Sequence, residues 1–221
     1  MKAPLPLGFF LACRRQGCRP SRWVLAVTTA NQTLRWFERV ADYGFYTFDL
    51  AAFPLHLTLP KRGPQRVPCK VPAFPGAPFG EKPIRPNYWC RRVFRVSTSR
   101  WGLGQQRDSH QTPRGLHRIA EKIGGGAPAG TVFRSRQPVG LTWAGHPRAA
   151  IAHRILWLDG LEPGKNRGGT VDTHARYIYL HGLGDETTLG RPTSRGCIHL
   201  AADDLIPLFD RLPVGTLVWI E

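Results

Sequence analysis

The chain has 221 residues, 42% of them apolar, which is enough for one domain with a buried core and excludes disorder throughout. Its 31 Lys and Arg outnumber 15 Asp and Glu, and the excess is concentrated: residues 1–100 hold 17 basic and 4 acidic side chains, and residues 101–221 hold 14 and 11. A basic N-terminal half favours polyanions such as nucleic acid, anionic lipid or an acidic wall polymer, among which charge does not choose, while the nearly balanced second half reads as an ordinary globular domain, so the chain as a whole need not bind nucleic acid.

Residues 1–21 are a basic N-terminal segment. The uncharged run 3–13 after Lys2 is faintly like a secretory signal, but Pro4 and Pro6 interrupt it and Arg14, Arg15 and Arg19 follow. No run approaches the roughly 20 apolar residues that span a bilayer, so a transmembrane segment is not expected. Five cysteines, at 13, 18, 69, 90 and 197, form an odd set without CxxC pairs. That pattern argues against a disulfide framework and a structural zinc site, and leaves at least one thiol free.

Residues 22–221 read as one domain, interrupted at about 39–92. The runs 23–28 and 33–37 are rich in β-formers and joined by Thr29-Ala30-Asn31-Gln32, which predicts an opening hairpin. Residues 54–86 carry nine of the 20 prolines with six basic residues, so the interruption reads as irregular. A strand is expected at 93–98, and the glycine-rich run after Ile123 marks a loop. Further strands are expected at 131–134, 154–158, 176–181 and 216–220. Trp143, Trp157 and Trp219 lie in or beside such runs, so core packing is their default.

Only 202–212 has a helical look, with Leu205, Leu208, Phe209 and Leu212 at i, i+3, i+4 and i+7 and acids in its first turn. Pro207 then requires a start near Asp203 or Asp204. The fold class is mostly β, with one short C-terminal helix and a long Pro/Arg-rich irregular insertion.

The chemistry lies near the end of the chain. In a strand over 176–181, side chains alternate, so Tyr177, Tyr179 and His181 share one side, with His181 last before Gly182. Sixteen positions after His181, Cys197 follows Thr193-Ser194-Arg195-Gly196. A thiol behind a glycine suits nucleophilic catalysis: the glycine allows a tight turn that aims amides at an oxyanion, and an imidazole lowers the thiol pKa and takes its proton. Free cysteine is otherwise most often a small buried hydrophobe. Asp172 and His174 read as loop residues rather than metal ligands, and Ser194 lacks the elbow of a serine nucleophile.

His181-Gly182 and Ser194-Arg195-Gly196-Cys197-Ile198-His199 resemble the signature of the L,D-transpeptidase catalytic domain, the YkuD family. Ser97-Thr98-Ser99-Arg100-Trp101-Gly102, Thr112-Pro113-Arg114-Gly115 and the approach Arg176 to Leu180 also look like that family. The resemblance covers residues 93–221, and 22–38 as the opening hairpin. It implies a mixed β-sandwich-like catalytic fold without metal or organic cofactor, and an enzyme that acts on peptidoglycan stem peptides in the cell envelope. By it Cys197 is the nucleophile and His181 the base, with the Gly182 carbonyl orienting the imidazole and the Gly196 and Cys197 amides forming an oxyanion hole. Ser194, Arg195, His199 and Tyr179 then face substrate.

The implied reaction is acyl transfer through a thioester with loss of D-alanine, giving a 3→3 cross-link. Water as acceptor makes the same fold an L,D-carboxypeptidase or a hydrolase of wall attachments. One departure stands out: His199 occupies the place where the family usually has arginine, and Arg195 the place where histidine is common. An always-charged bidentate donor is thereby exchanged for a partly charged ring. A silent binding module that attaches to a polyanion is the reading from a different class.

Overall fold

The computed structural model describes residues 4–40 and 87–221. The proline-rich run 54–86 lies outside the described residues. Ten strands and two helices follow in chain order: α1 (Leu7–Arg15), β1 (Trp23–Thr28), β2 (Thr33–Arg39), β3 (Tyr88–Ser97), β4 (Gly115–Ile123), β5 (Thr131–Arg134), β6 (Gln137–Leu141), β7 (Ala152–Gly160), β8 (Tyr179–Gly182), β9 (Ile198–Leu200), α2 (Ala202–Arg211) and β10 (Leu217–Ile220). The class is mostly β, as the sequence predicts. The strands hydrogen-bond in the order β4-β10-β1-β2-β3-β9-β8-β7-β5-β6, and β4 also pairs with β7. Eight strands therefore close on themselves, and the β5–β6 hairpin hangs from the β7 side.

The two faces of β1 explain its unbroken apolar run. Trp23, Leu25 and Val27 join an inner core with Ile119, Leu156, Leu158, Leu180, Ile198 and Leu200, which α2 completes through Leu205, Leu208, Phe209 and Leu212. Val24 and Ala26 turn outward into a second cluster under α1, where Phe9, Ala12 and Cys13 meet Phe37, Leu116 and Leu217. A strand buried on both faces needs apolar residues at every position rather than at alternate ones.

In β3 the pairing skips Arg91, since Trp36 faces Arg92 and Phe37 faces Cys90. That extra residue reverses the strand's faces: Phe94 and Val96 point into the inner core, and Tyr88 and Cys90 lie with the outer cluster. Arg22 and Arg91 both bind Glu38, and Arg92 binds Asp204, so part of the basic N-terminal half is spent on ion pairs.

Several expectations change. Residues 7–15 form a helix that packs on the fold, a second helix beyond the one read from periodicity. Its i, i+3 and i+4 pattern is carried by Phe9, Ala12 and Cys13, with Gly8 so close to Trp219 that a Cβ would stand 2.7 Å from its ring. β3 begins at Tyr88, five residues before the expected start, and β4 and β6 carry no strong β signal. Helix α2 starts at Ala202, which leaves Pro207 in its second turn and removes the hydrogen bond to the Asp203 carbonyl. The strand expected over 176–181 begins only at Tyr179. Trp143 is 66% exposed, Trp219 is half-buried under α1, and only Trp157 of the three is packed in. Among the described residues no helix is long and apolar enough to cross a membrane.

Candidate active site

β8 and β9 are parallel neighbours with Leu180 beside Ile198 and His181 beside His199. Ile178, Leu180, Ile198 and Leu200 point into the inner core. The two-residue period therefore puts Tyr179, His181, Cys197 and His199 together on the outer face. Cys197 packs there against Phe133, Ile155, Trp157 and Tyr179. The His181 ring lies 4.7 Å from that of His199 and edge-on to Tyr179 at 6.4 Å.

Tyr177 does not join them by strand alternation, because it sits in a turn with φ +57° and is 53% exposed. Its carbonyl nevertheless accepts the Cys197 thiol at 3.5 Å. The Tyr179 hydroxyl, at the other end of the cluster, accepts from Arg136 at 3.4 Å, and the Arg136 guanidinium lies over the rings of Trp157 and Tyr177.

His181 Nδ1 lies 2.8 Å from the Gly182 carbonyl. A carbonyl only accepts, so Nδ1 carries the proton and Nε2 is left with its lone pair. Burial pushes His181 down to about 4, so the ring is neutral near pH 7. Burial pushes the Cys197 thiol up to about 11, against the opposing pull of the Tyr179 amide and the Arg176 charge. The sequence expectation of a thiol lowered by its imidazole is thus reversed: desolvation outweighs the neighbouring charges. The resting pair is a thiol and a neutral imidazole.

The loop before Cys197 is held by Ser194. Its buried hydroxyl donates to the Cys197 carbonyl at 2.6 Å and accepts the Gly196 amide at 3.2 Å, while its own amide and carbonyl bond Thr98 and Arg100. Ser194 therefore shapes the turn, with its one hydroxyl donor committed to the Cys197 carbonyl. The Gly196 amide, expected in an oxyanion hole, is spent on Ser194. Gly196 itself is required by its φ of +114° and by Ile178 Cδ1, which a Cβ would meet at 3.0 Å.

His199 is mostly buried, and burial beside His181 pushes it down to about 3. Its Nδ1 has no hydrogen-bond partner. Burial thus holds this ring neutral near pH 7, unlike the always-charged arginine that the family resemblance places there. Arg195 is exposed and lines a cleft with Arg107, Asp108, His110, Arg176 and Tyr177. Asp172 is used by the Gly168 and Ala175 amides, and His174 stacks on Trp157 at 3.9 Å.

Two contributors escape the sequence reading. Arg176 donates to the carbonyls of Gly104, Gln105 and Gln111 and to Ser109 Oγ, which pins the 99–112 loop against the turn that carries Tyr177. His153, in an irregular stretch of β7, lies behind Gly182. Arg176 stands in the expected strand and in the run that resembles the family, but its role in pinning the loop carries no spacing signal, and neither does a histidine within a β run.

The sequence profile of the YkuD family, the L,D-transpeptidase catalytic domain, matches residues 89–220. The Bacillus subtilis (strain 168) protein named "Putative L,D-transpeptidase YqjB" is 40% identical over 48 residues, which are 22% of this chain and 27% of that protein. Among solved structures, Bd1075 of Bdellovibrio bacteriovorus aligns at 14% identity with a TM-score of 0.47, covering 91% of this chain and 48% of its own. LdtMt1, an L,D-transpeptidase solved in complex with imipenem, aligns at 13% identity with a TM-score of 0.42, covering 90% and 59%. The chain thus spans well under two thirds of each of these relatives. With the family profile matched over more than half its length, the chain belongs to the YkuD family of L,D-transpeptidase catalytic domains.

Proposed function

We propose that this protein is a cysteine L,D-transpeptidase that forms 3→3 peptidoglycan cross-links in the cell envelope. The observation that carries the reading is the fixed tautomer of His181, whose Gly182 contact leaves Nε2 unprotonated on the face it shares with Cys197. The Cys197 thiol turns from the Tyr177 carbonyl and gives its proton to His181 Nε2 as sulfur attacks the carbonyl between the third residue of a tetrapeptide stem and its terminal D-alanine. The oxyanion is assigned to the Cys197 amide, and Gly196 contributes only after its amide leaves Ser194. Collapse breaks the peptide bond, D-alanine leaves with the proton returned by His181, and a thioester remains. The amine of a second stem then attacks the thioester, loses its proton to His181, and regenerates the thiol.

Because the resting thiol is neutral, the base acts during attack rather than before it. Cys197 is only partly buried beside the cluster of Phe133, Ile155, Trp157 and Tyr179, which leaves its sulfur open to an acceptor. Incubating the protein and Cys197→Ala with disaccharide-tetrapeptide, with products read by mass spectrometry, tests the reading. Cysteine-dependent D-alanine release with dimers is expected. Tripeptide alone would replace transpeptidation by carboxypeptidase activity, and no product from a folded protein would overturn the enzyme reading in favour of a binding module.

A further inference from the structure

The cleft beside the Cys197 turn has a charge pattern that the acyl-transfer chemistry does not use. It holds about 610 Å³ and is lined by Arg107, Asp108, His110, Arg176, Tyr177 and Arg195, among others. One contact ties it to the reacting sulfur and a second to the turn before it. The Tyr177 carbonyl in its wall receives the Cys197 thiol, and Ile178, also in the wall, abuts Gly196. Of its three guanidiniums, that of Arg176 is consumed by loop carbonyls, yet its charge remains. Arg107 and Arg195 are exposed, and among the described residues neither guanidinium has a hydrogen-bond or ion-pair partner. Asp108 is the one carboxylate in the wall.

We propose that this cleft binds a carboxylate of the peptide donor between Arg195 and Arg107, and so sets the donor's scissile carbonyl at Cys197. Three positive groups against one negative suit a singly charged anion, and guanidinium forks suit the planar geometry of a carboxylate. The carboxylate of a leaving amino acid lies about 5 Å from the scissile carbon, and the cleft wall meets the thiol at the Tyr177 carbonyl. A free carboxylate on the third stem residue offers the same chemistry from the other side of the bond. The proposal also accounts for the departure at 195 and 199. The neutral, buried His199 leaves substrate charge unanswered on β9, and the exposed Arg195 answers it from the loop. It rests on the acyl-transfer reading for its substrate, but the positive cleft can be read without turnover.

Arg195→Gln and Arg107→Gln are to be compared with the parent in two measurements. In the first, three donors are used: the free tetrapeptide, its C-terminal amide, and the peptide with the third residue's side-chain carboxyl amidated. Each variant is expected to raise KM for the free donor roughly tenfold, with a smaller change in kcat. The amide that removes the recognised carboxylate should bind the parent poorly and lose nothing more in the variants, which identifies its source. In the second measurement, Cys197 is alkylated by iodoacetate and by iodoacetamide, and their rate ratio is taken within each protein. The ratio should fall about threefold or more when either arginine is removed. An unchanged ratio together with an unchanged KM overturns the cleft. A fallen ratio without turnover of any donor supports the cleft and overturns the transpeptidase reading instead.

Discussion

His153 leaves no room for a side chain at Gly182: a Cβ there would stand 2.5 Å from His153 Cδ2 and 2.9 Å from the Ala152 carbonyl. The His153 ring is fixed at both ends. Its Nδ1 accepts the Gly130 amide at 2.8 Å and its Nε2 donates to the Leu183 carbonyl at 2.9 Å, with the residue held at φ +70° where β7 is irregular. The Gly182 peptide that orients His181 is therefore backed by a second, rigid imidazole.

Gly182→Ala should cost about 1–3 kcal/mol of stability through overpacking, since its backbone is an ordinary strand and the obstacle is space alone. Denaturant unfolding measures the loss, and the imidazole nitrogen shifts of His181 should show the Nδ1 proton no longer fixed. A substitution without either change would mean that the His153 ring yields freely.

Replacing His153 separates its two contacts. Leucine leaves a buried amide and a buried carbonyl unpaired and should destabilise by about 2–5 kcal/mol. Asparagine keeps an acceptor for Gly130 and tolerates the left-handed backbone, so it should recover a large part of that loss. The ordering asparagine above leucine in unfolding midpoint is the check.

His199→Phe keeps a ring beside His181 and removes an Nδ1 that has no partner. Folding stability should stay level or rise by up to about 1 kcal/mol. A fall beyond about 2 kcal/mol would show that Nδ1 is hydrogen-bonded in solution.

Acid should unfold the protein through its buried imidazoles. Burial pushes His117 and His199 down to about 3 and His181 to about 4, against an ordinary value of 6.5. Below pH 6.5 the unfolded chain takes up protons that the folded chain refuses, so stability falls as pH drops from about 6.5 towards 3–4. Thermal midpoints across that window should decline, and His117→Gln should make the decline shallower. A flat profile would contradict the burial of these rings.

Much of this was legible in the chain. The run around Cys197 and His181 identifies the family because cysteine, histidine and the two glycines fall in short local segments, and the strands 23–28, 131–134 and 154–158 are visible from β-formers. What escaped depends on tertiary burial. Charge and proline are what residues 7–15 and their flanks show in sequence, whereas the shape of α1 is set by Phe9, Ala12 and Cys13 meeting a strand face that is apolar only because β1 is covered on both sides. Tyr177 departs from strand alternation because its positive φ ends one conformation before β8 begins. The raised thiol could not be read at all, since desolvation is a property of the packed cluster rather than of spacing.

The place of β10 between β4 and β1 has a consequence for how the chain is made. Its residues 217–220 pair with the first strand and with β4, so the closed array lacks one stave until residue 220 is available. Nearly the whole sequence separates β10 from β1 and about half of it separates β10 from β4, and such non-local pairing is slow and leaves strand edges open while it waits. The ring is thus expected to close only once residues 217–220 are available. Cells making this protein would need to shelter the incomplete ring from other unpaired strands, and ribosome-bound chains ending before residue 217 should remain protease-sensitive.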